Sequence, residues 1–125
     1  MPTRSPGAAP TARQADLDLL QGTLDVMILK ALSWVPMHGF GVAKWIRHTT
    51  DAVLEIEDSA LYPALHRLEH RGFVAASWGL TENNRRAKYY KLTTSGRQHL
   101  RARVSTWDRY AAAVSKVIHA TTQPA

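Results

Sequence analysis

The chain has 125 residues, 45% of them hydrophobic, which is material for one packed core and too little for two. It has no cysteine, which excludes disulfides, thiolate metal sites and thiol nucleophiles, and no apolar run near the ~20 residues that span a bilayer. The net charge of +6 favours polyanionic partners, and with no apolar signal segment at its start the chain is expected to be cytoplasmic and free of membrane.

Residues 1–15 carry Pro2, Pro6 and Pro10 among small and polar side chains and read as a flexible arm. From there Leu17, Leu20, Leu24, Met27, Ala31 and Val35 recur at spacings of three and four, while Leu29 and Leu32 add apolar surface on other sides. The spacing predicts a helix buried on more than one face and ended by Pro36. The run from Met37 to Gly41 reads as a tight connection into a second helix over Gly41–Thr49, with Val42, Trp45 and Ile46 inward.

A third helix is expected to start at Asp58 or Ser59, either able to cap it, and to stop at Gly72. Leu61, Ala64, Leu65 and Leu68 share one face. Ser59, Pro63, His66, Arg67 and His70 share the other, with Tyr62 on the flank, a polar surface suited to reading a groove. Pro63 lacks an amide hydrogen and is expected just inside the helix start.

Phe73 to Trp78 and Ala87 to Leu92 read as a hairpin around the polar tip Thr81 to Arg86, where Asn83 and Asn84 suit the turn. Between Asn83 and Trp107 there is no Asp or Glu, while Arg85, Arg86, Lys88, Lys91, Arg97, Arg101 and Arg103 all fall there. A solvated surface accounts for part of that run, notably the three arginines of the last helix. Thr93 or Thr94 can cap this last helix, in which Leu100, Val104, Trp107, Ala111, Val114 and Ile118 step by four and three. Such a stripe on so long a helix calls for a partner helix, most economically from a second copy.

The expected class is mainly α with a small β-hairpin: a winged helix-turn-helix domain over residues 16–93, a dimerisation helix over 94–120 and a tail over 121–125. Its partners would be double-stranded DNA and a second copy of itself. The candidate DNA-contacting residues are Lys44, Ser59, Tyr62, Pro63, His66, Arg67, Asn84, Arg85, Arg86 and Lys88. No cofactor and no catalysis are expected. The stretch His66 to His70 fits the H-x-x-E-H spacing of inverted zinc peptidases, but the chain is too short to build a substrate cleft around it. A metal-sensing regulator using His66 and His70 would have a weak site of two imidazoles. A protein-binding adaptor, pairing its last helix with a different protein, is the other reading.

The segments LLQGTLDVMILKAL, PMHGFGVAKWI, EDSALYPALHRLEHRGFV and ENNRRAKYYKLTTSG, with the Trp107-bearing helix, resemble the PadR family of bacterial transcription regulators, over about Leu17 to Ala120. The combination of Leu61-Tyr62-Pro63, Leu68-Glu69, Gly72 and Arg86-Ala87-Lys88-Tyr89-Tyr90 carries the likeness. With one terminal helix the chain is similar to the shorter branch of the family. The resemblance implies a repressor that dimerises through its first and last helices, so that Leu17, Leu20 and Leu24 join the interface, and that binds an operator of inverted symmetry. It also implies a small aromatic or amphipathic effector near the interface, where Trp107 either lines a pocket or simply packs. Phe40 stands where many relatives have tyrosine, so a hydroxyl contact is lost there.

Overall fold

The computed structural model describes residues 12–124, with side chains from residue 22 onward. The order is α1 (Ala12–Leu32), β1 (Met37–His38), α2 (Gly39–Thr49), α3 (Asp58–His70), β2 (Val74–Leu80), β3 (Arg86–Leu92) and α4 (Thr94–Ile118). The three strands form an antiparallel sheet in the order β1-β3-β2.

Helix α1 starts before the expected Leu17, so residues 12–15 are helical rather than part of an arm. Ala12-Arg13-Gln14-Ala15 are all good helix formers, which accounts for the extension. The helix stops at Leu32, ahead of Pro36, as Ser33 turns back to donate both its amide and its hydroxyl to the Lys30 carbonyl. Trp34 and Val35 are left exposed beyond it. Ile28, Leu29, Ala31 and Leu32 are all buried, so the end of α1 is surrounded on several sides. Val42 and Ile46 of α2, the four leucine and alanine positions of α3, and Val74, Tyr90 and Leu92 of the sheet close around it.

The expected connection before α2 is partly a strand. Met37 and His38 pair with Tyr90 and Tyr89, too short a run to show any alternation in sequence. His38 then caps α2, its Nδ1 accepting the Gly41 amide at 3.0 Å. At Gly39 a methyl group would come within 2.7 Å of the Tyr62 ring, so α2 and α3 approach through that glycine.

Helix α3 does not use the expected caps. Glu57 occupies the N-cap without a side-chain bond, which places Asp58 and Ser59 inside the first turn. Pro63 consequently lies one or two residues deeper than those caps would place it, at the sixth helical residue. The ladder bond it removes would have gone to the Ser59 carbonyl, and both residues are exposed, so that carbonyl is left to solvent. The other end follows expectation: Gly72 has φ 78°, and the Phe73 and Gly72 amides close onto the Leu68 and Glu69 carbonyls.

Both hairpin strands extend nearer the tip than expected, leaving Thr81 to Arg85 as the loop. Asn84 takes the left-handed conformation with φ 59°. Thr93 caps α4 by accepting the Gly96 amide at 3.0 Å.

Candidate nucleic-acid interface

The start of α4 is bolted to the end of α3. The Thr93 and Ser95 hydroxyls donate to the Gly72 carbonyl, the Thr93 amide donates to the Phe73 carbonyl, and Gly96 lies directly against that same carbonyl. The His99 ring stacks flat on Phe73, with centroids 4.1 Å apart and planes 8° from parallel. These contacts orient the outward face of α3 relative to the long helix.

On that face Ser59, Pro63, His66 and His70 are exposed, as is Lys44 on α2. Tyr62 is about half exposed, its ring resting on Gly39; burial first, then the charges of Asp58 and Tyr90, raises its hydroxyl above the usual tyrosine value. Arg67, expected to reach a base or a phosphate, instead donates to the Asp25 carboxylate of α1 at 2.9 Å. It stands on the flank of α3, and its long side chain reaches an acid on the neighbouring helix, which the sequence pattern of α3 alone does not reveal.

Lys88 is likewise engaged. Its ammonium bonds Glu69 of α3 at 3.0 Å and sits over the Tyr90 ring, and that hydrogen bond is the main cause holding its pKa above the ordinary lysine value. The parity of β3 turns Lys88 toward α3, the same face that buries Tyr90 and Leu92. Among the wing cations expected to meet phosphate, Arg85 and Arg86 are exposed beside Asn84 at the tip. Arg86 lies over the Trp78 ring at 4.6 Å.

The stripe expected to meet a second copy divides. Val104, Trp107, Val114 and Ile118 are exposed and Ala111 is half-buried. Leu100 and Leu24, expected in the interface, are buried in the protomer's own core, because α4 packs on α1, which in turn lies against α3 and the sheet. Leu17 and Leu20 belong to α1, but their side chains lie outside the described residues. Between α1 and α4 a cavity of about 600 Å³ is lined by Val26, Met27, Leu54, Trp107 and Tyr110, and also by Arg103.

His66 and His70 are both exposed, and Glu69 between them is taken by Lys88. Among the described residues no group of three or more His, Cys, Asp or Glu side chains could hold a metal ion. Nor is any helix among them long and apolar enough to cross a membrane.

Sequence reading missed Asp25, His38 and Trp78. Trp78 had the clearest signal, since pairing the hairpin in its natural register sets it opposite Lys88 and diagonal to Arg86.

A helical trio whose third helix presents a polar outer face, followed by a cationic β-wing, defines a winged helix-turn-helix DNA-binding protein. The model of the transcriptional regulator PadR-like family matches residues 28–102, and the chain belongs to that family, whose regulators bind DNA without catalysing a reaction. A transcriptional regulator from Clostridium thermocellum superposes with a TM-score of 0.72 at 29% identity, over 79% of this chain and 96% of that one. A PadR family transcriptional regulator from Eggerthella lenta gives 0.69 at 29% identity, over 87% and 93%. A Lysinibacillus sphaericus protein called uncharacterized protein X is 28% identical over 90 residues, 72% of this chain and 83% of the relative.

Proposed function

We propose that the chain is a homodimeric repressor which sets two α3 helices into successive major grooves of an inverted-repeat operator and lets go when a small ligand binds. The observation that carries this reading is the apolar stripe on α4, where Val104, Trp107, Val114 and Ile118 stay exposed. Helix α4 has 25 residues, about 37 Å at 1.5 Å per residue, and only its first turns enter the protomer's core. A second copy would cover the rest and hold the two reading helices at the spacing of one DNA turn, about 10 base pairs. Ser59, Tyr62, Pro63 and His66 would face the bases, with Lys44, Arg85 and Arg86 on the backbone. Arg67 and Lys88 would join them only by leaving Asp25 and Glu69. The cavity beside Trp107 is lined mostly by apolar side chains together with Arg103, a lining that suits an amphipathic effector.

The test combines size with salt dependence. The purified chain should sediment as a dimer and shift a duplex selected from genomic fragments. Replacing both Arg85 and Arg86 with alanine should weaken binding to every sequence and reduce the slope of log affinity against log salt by about two. A monomer that ignores all fragments in dilute buffer would overturn the reading, and an unchanged slope would remove the wing from it.

A further inference from the structure

We infer that the ion pair between Arg67 of α3 and Asp25 of α1 sets the roll of the reading helix about its own axis, so that Arg67 governs sequence preference without touching DNA. The inference rests on the DNA-binding reading above and makes Arg67 and Asp25 positioning residues for α3.

Arg67 stands at the border between the buried and the outward face of α3. At about 100° per residue, Tyr62 and Arg67 fall about 140° apart, with Ser59, Pro63, His66 and His70 on the arc between them and the core residues Leu61, Ala64, Leu65 and Leu68 behind. Each flank meets a different helix. The Tyr62 ring rests on Gly39 of α2, and the Arg67 guanidinium donates to the Asp25 carboxylate at 2.9 Å. Behind them α3 is held by aliphatic packing, which is non-directional, and the bonds from α4 hold Gly72, beyond the last turn rather than on a flank. The two flank contacts are therefore the stops against roll. They matter because a roll of about 10° carries a side-chain tip about 1 Å at the helix's outer radius of about 5–6 Å, enough to spoil a directed hydrogen bond to a base edge.

Burial favours a pair that stays closed on DNA. The side chains of Arg67 and Asp25 are 35% and 22% exposed, so a guanidinium that left for a phosphate would strand a largely buried carboxylate without its donor. Asp25 is itself a firm stop, since Leu24 before it and Ile28 one turn on are buried in the core. Arg67 thus joins α3 to a fixed point on α1, which accounts for a cation beside the reading face that does not point outward with Ser59, Pro63 and His66.

The experiment compares the full chain and its variants on two duplexes, one that the unaltered chain selects from random sequence and a scrambled one of the same composition. Arg67→Gln and Asp25→Asn change the net charge in opposite directions, yet both open the pair, so both should lower the ratio of selected to scrambled affinity about tenfold with the salt slope unchanged. Combining Asp25→Arg with Arg67→Asp should restore the ratio. If Arg67 instead touched phosphate, Arg67→Gln would weaken both duplexes alike and flatten the slope by about one per protomer, Asp25→Asn would tighten both, and the exchange would weaken binding further by placing an acid on α3. Any of those results, or an undiminished ratio in both single variants, sinks the inference while DNA binding stands. A structure of the unaltered chain on its selected duplex needs no folded variant: the pair should remain closed, and an Arg67 guanidinium on a phosphate or a base would contradict it. If no duplex is selected at all, the DNA-binding reading fails first and this inference goes with it.

Discussion

His99 shows how one side chain ties stability to pH. Its ring lies against Phe73; burial first, then the cations of Arg103 and Arg71, lowers its pKa below the ordinary 6.5, with Asp25 opposing. The folded chain thus prefers the neutral ring, whereas the unfolded chain takes up a proton near 6.5. The stability this group contributes is present above that value and is lost as pH falls through it toward the folded pKa. Thermal unfolding followed from pH 7 to pH 5 should show a steeper loss for the unaltered chain than for His99→Phe, which keeps the stack without the titration. Parallel profiles would show that His99 plays no such part. Arg67 is a second case at this scale, because its pairing with Asp25 gives a residue expected to read DNA a role between helices.

Among the elements, the junction of α3 and α4 decides how rigidly the reading surface is held. Gly96 is required there, since a methyl group would overlap the Phe73 carbonyl oxygen and neither backbone can yield without moving a helix. Gly96→Ala should cost about 3 kcal/mol in chemical denaturation, at the upper end of the range for overpacking. A cost below about 1 kcal/mol would mean that the two helices can separate freely. The Gly72 cap works from the other side, its left-handed turn sending the chain into β2 while exposing its carbonyl to Thr93 and Ser95. Pro63 tolerates its position because it stands on the outer face of α3, where a free carbonyl meets water.

For the whole molecule, the question is what α4 does beyond the core. Val114 and Ile118 extend the stripe past Trp107 on a helix with solvent around it, a costly arrangement for a lone chain. Trp107→Glu should convert a dimer to a monomer and remove most operator affinity, because one reading helix binds far more weakly than two held at fixed spacing. Sedimentation of the variant checks this, and a dimer that persists would place the interface elsewhere. Core residues are unchanged by the substitution, since Trp107 is 46% exposed, so the monomer should stay folded.

Periodicity and turn chemistry alone determined the order of helices, the wing, the stop at Gly72 and a threonine cap at residue 93 or 94, of which the structure uses Thr93. Each of these depends on residues near one another in the chain, and the family likeness drew on the same local signals. Only the tertiary structure decided that Arg67 answers Asp25, that Lys88 answers Glu69, and that Leu24 and Leu100 belong to the core rather than to an exposed stripe. It also decided that Met37 and His38 join the sheet and that Trp78 holds Arg86. The reason is physical: helical projection assigns a side chain to a face, but what that face meets, acid, core or water, depends on segments tens of residues away, brought there by packing.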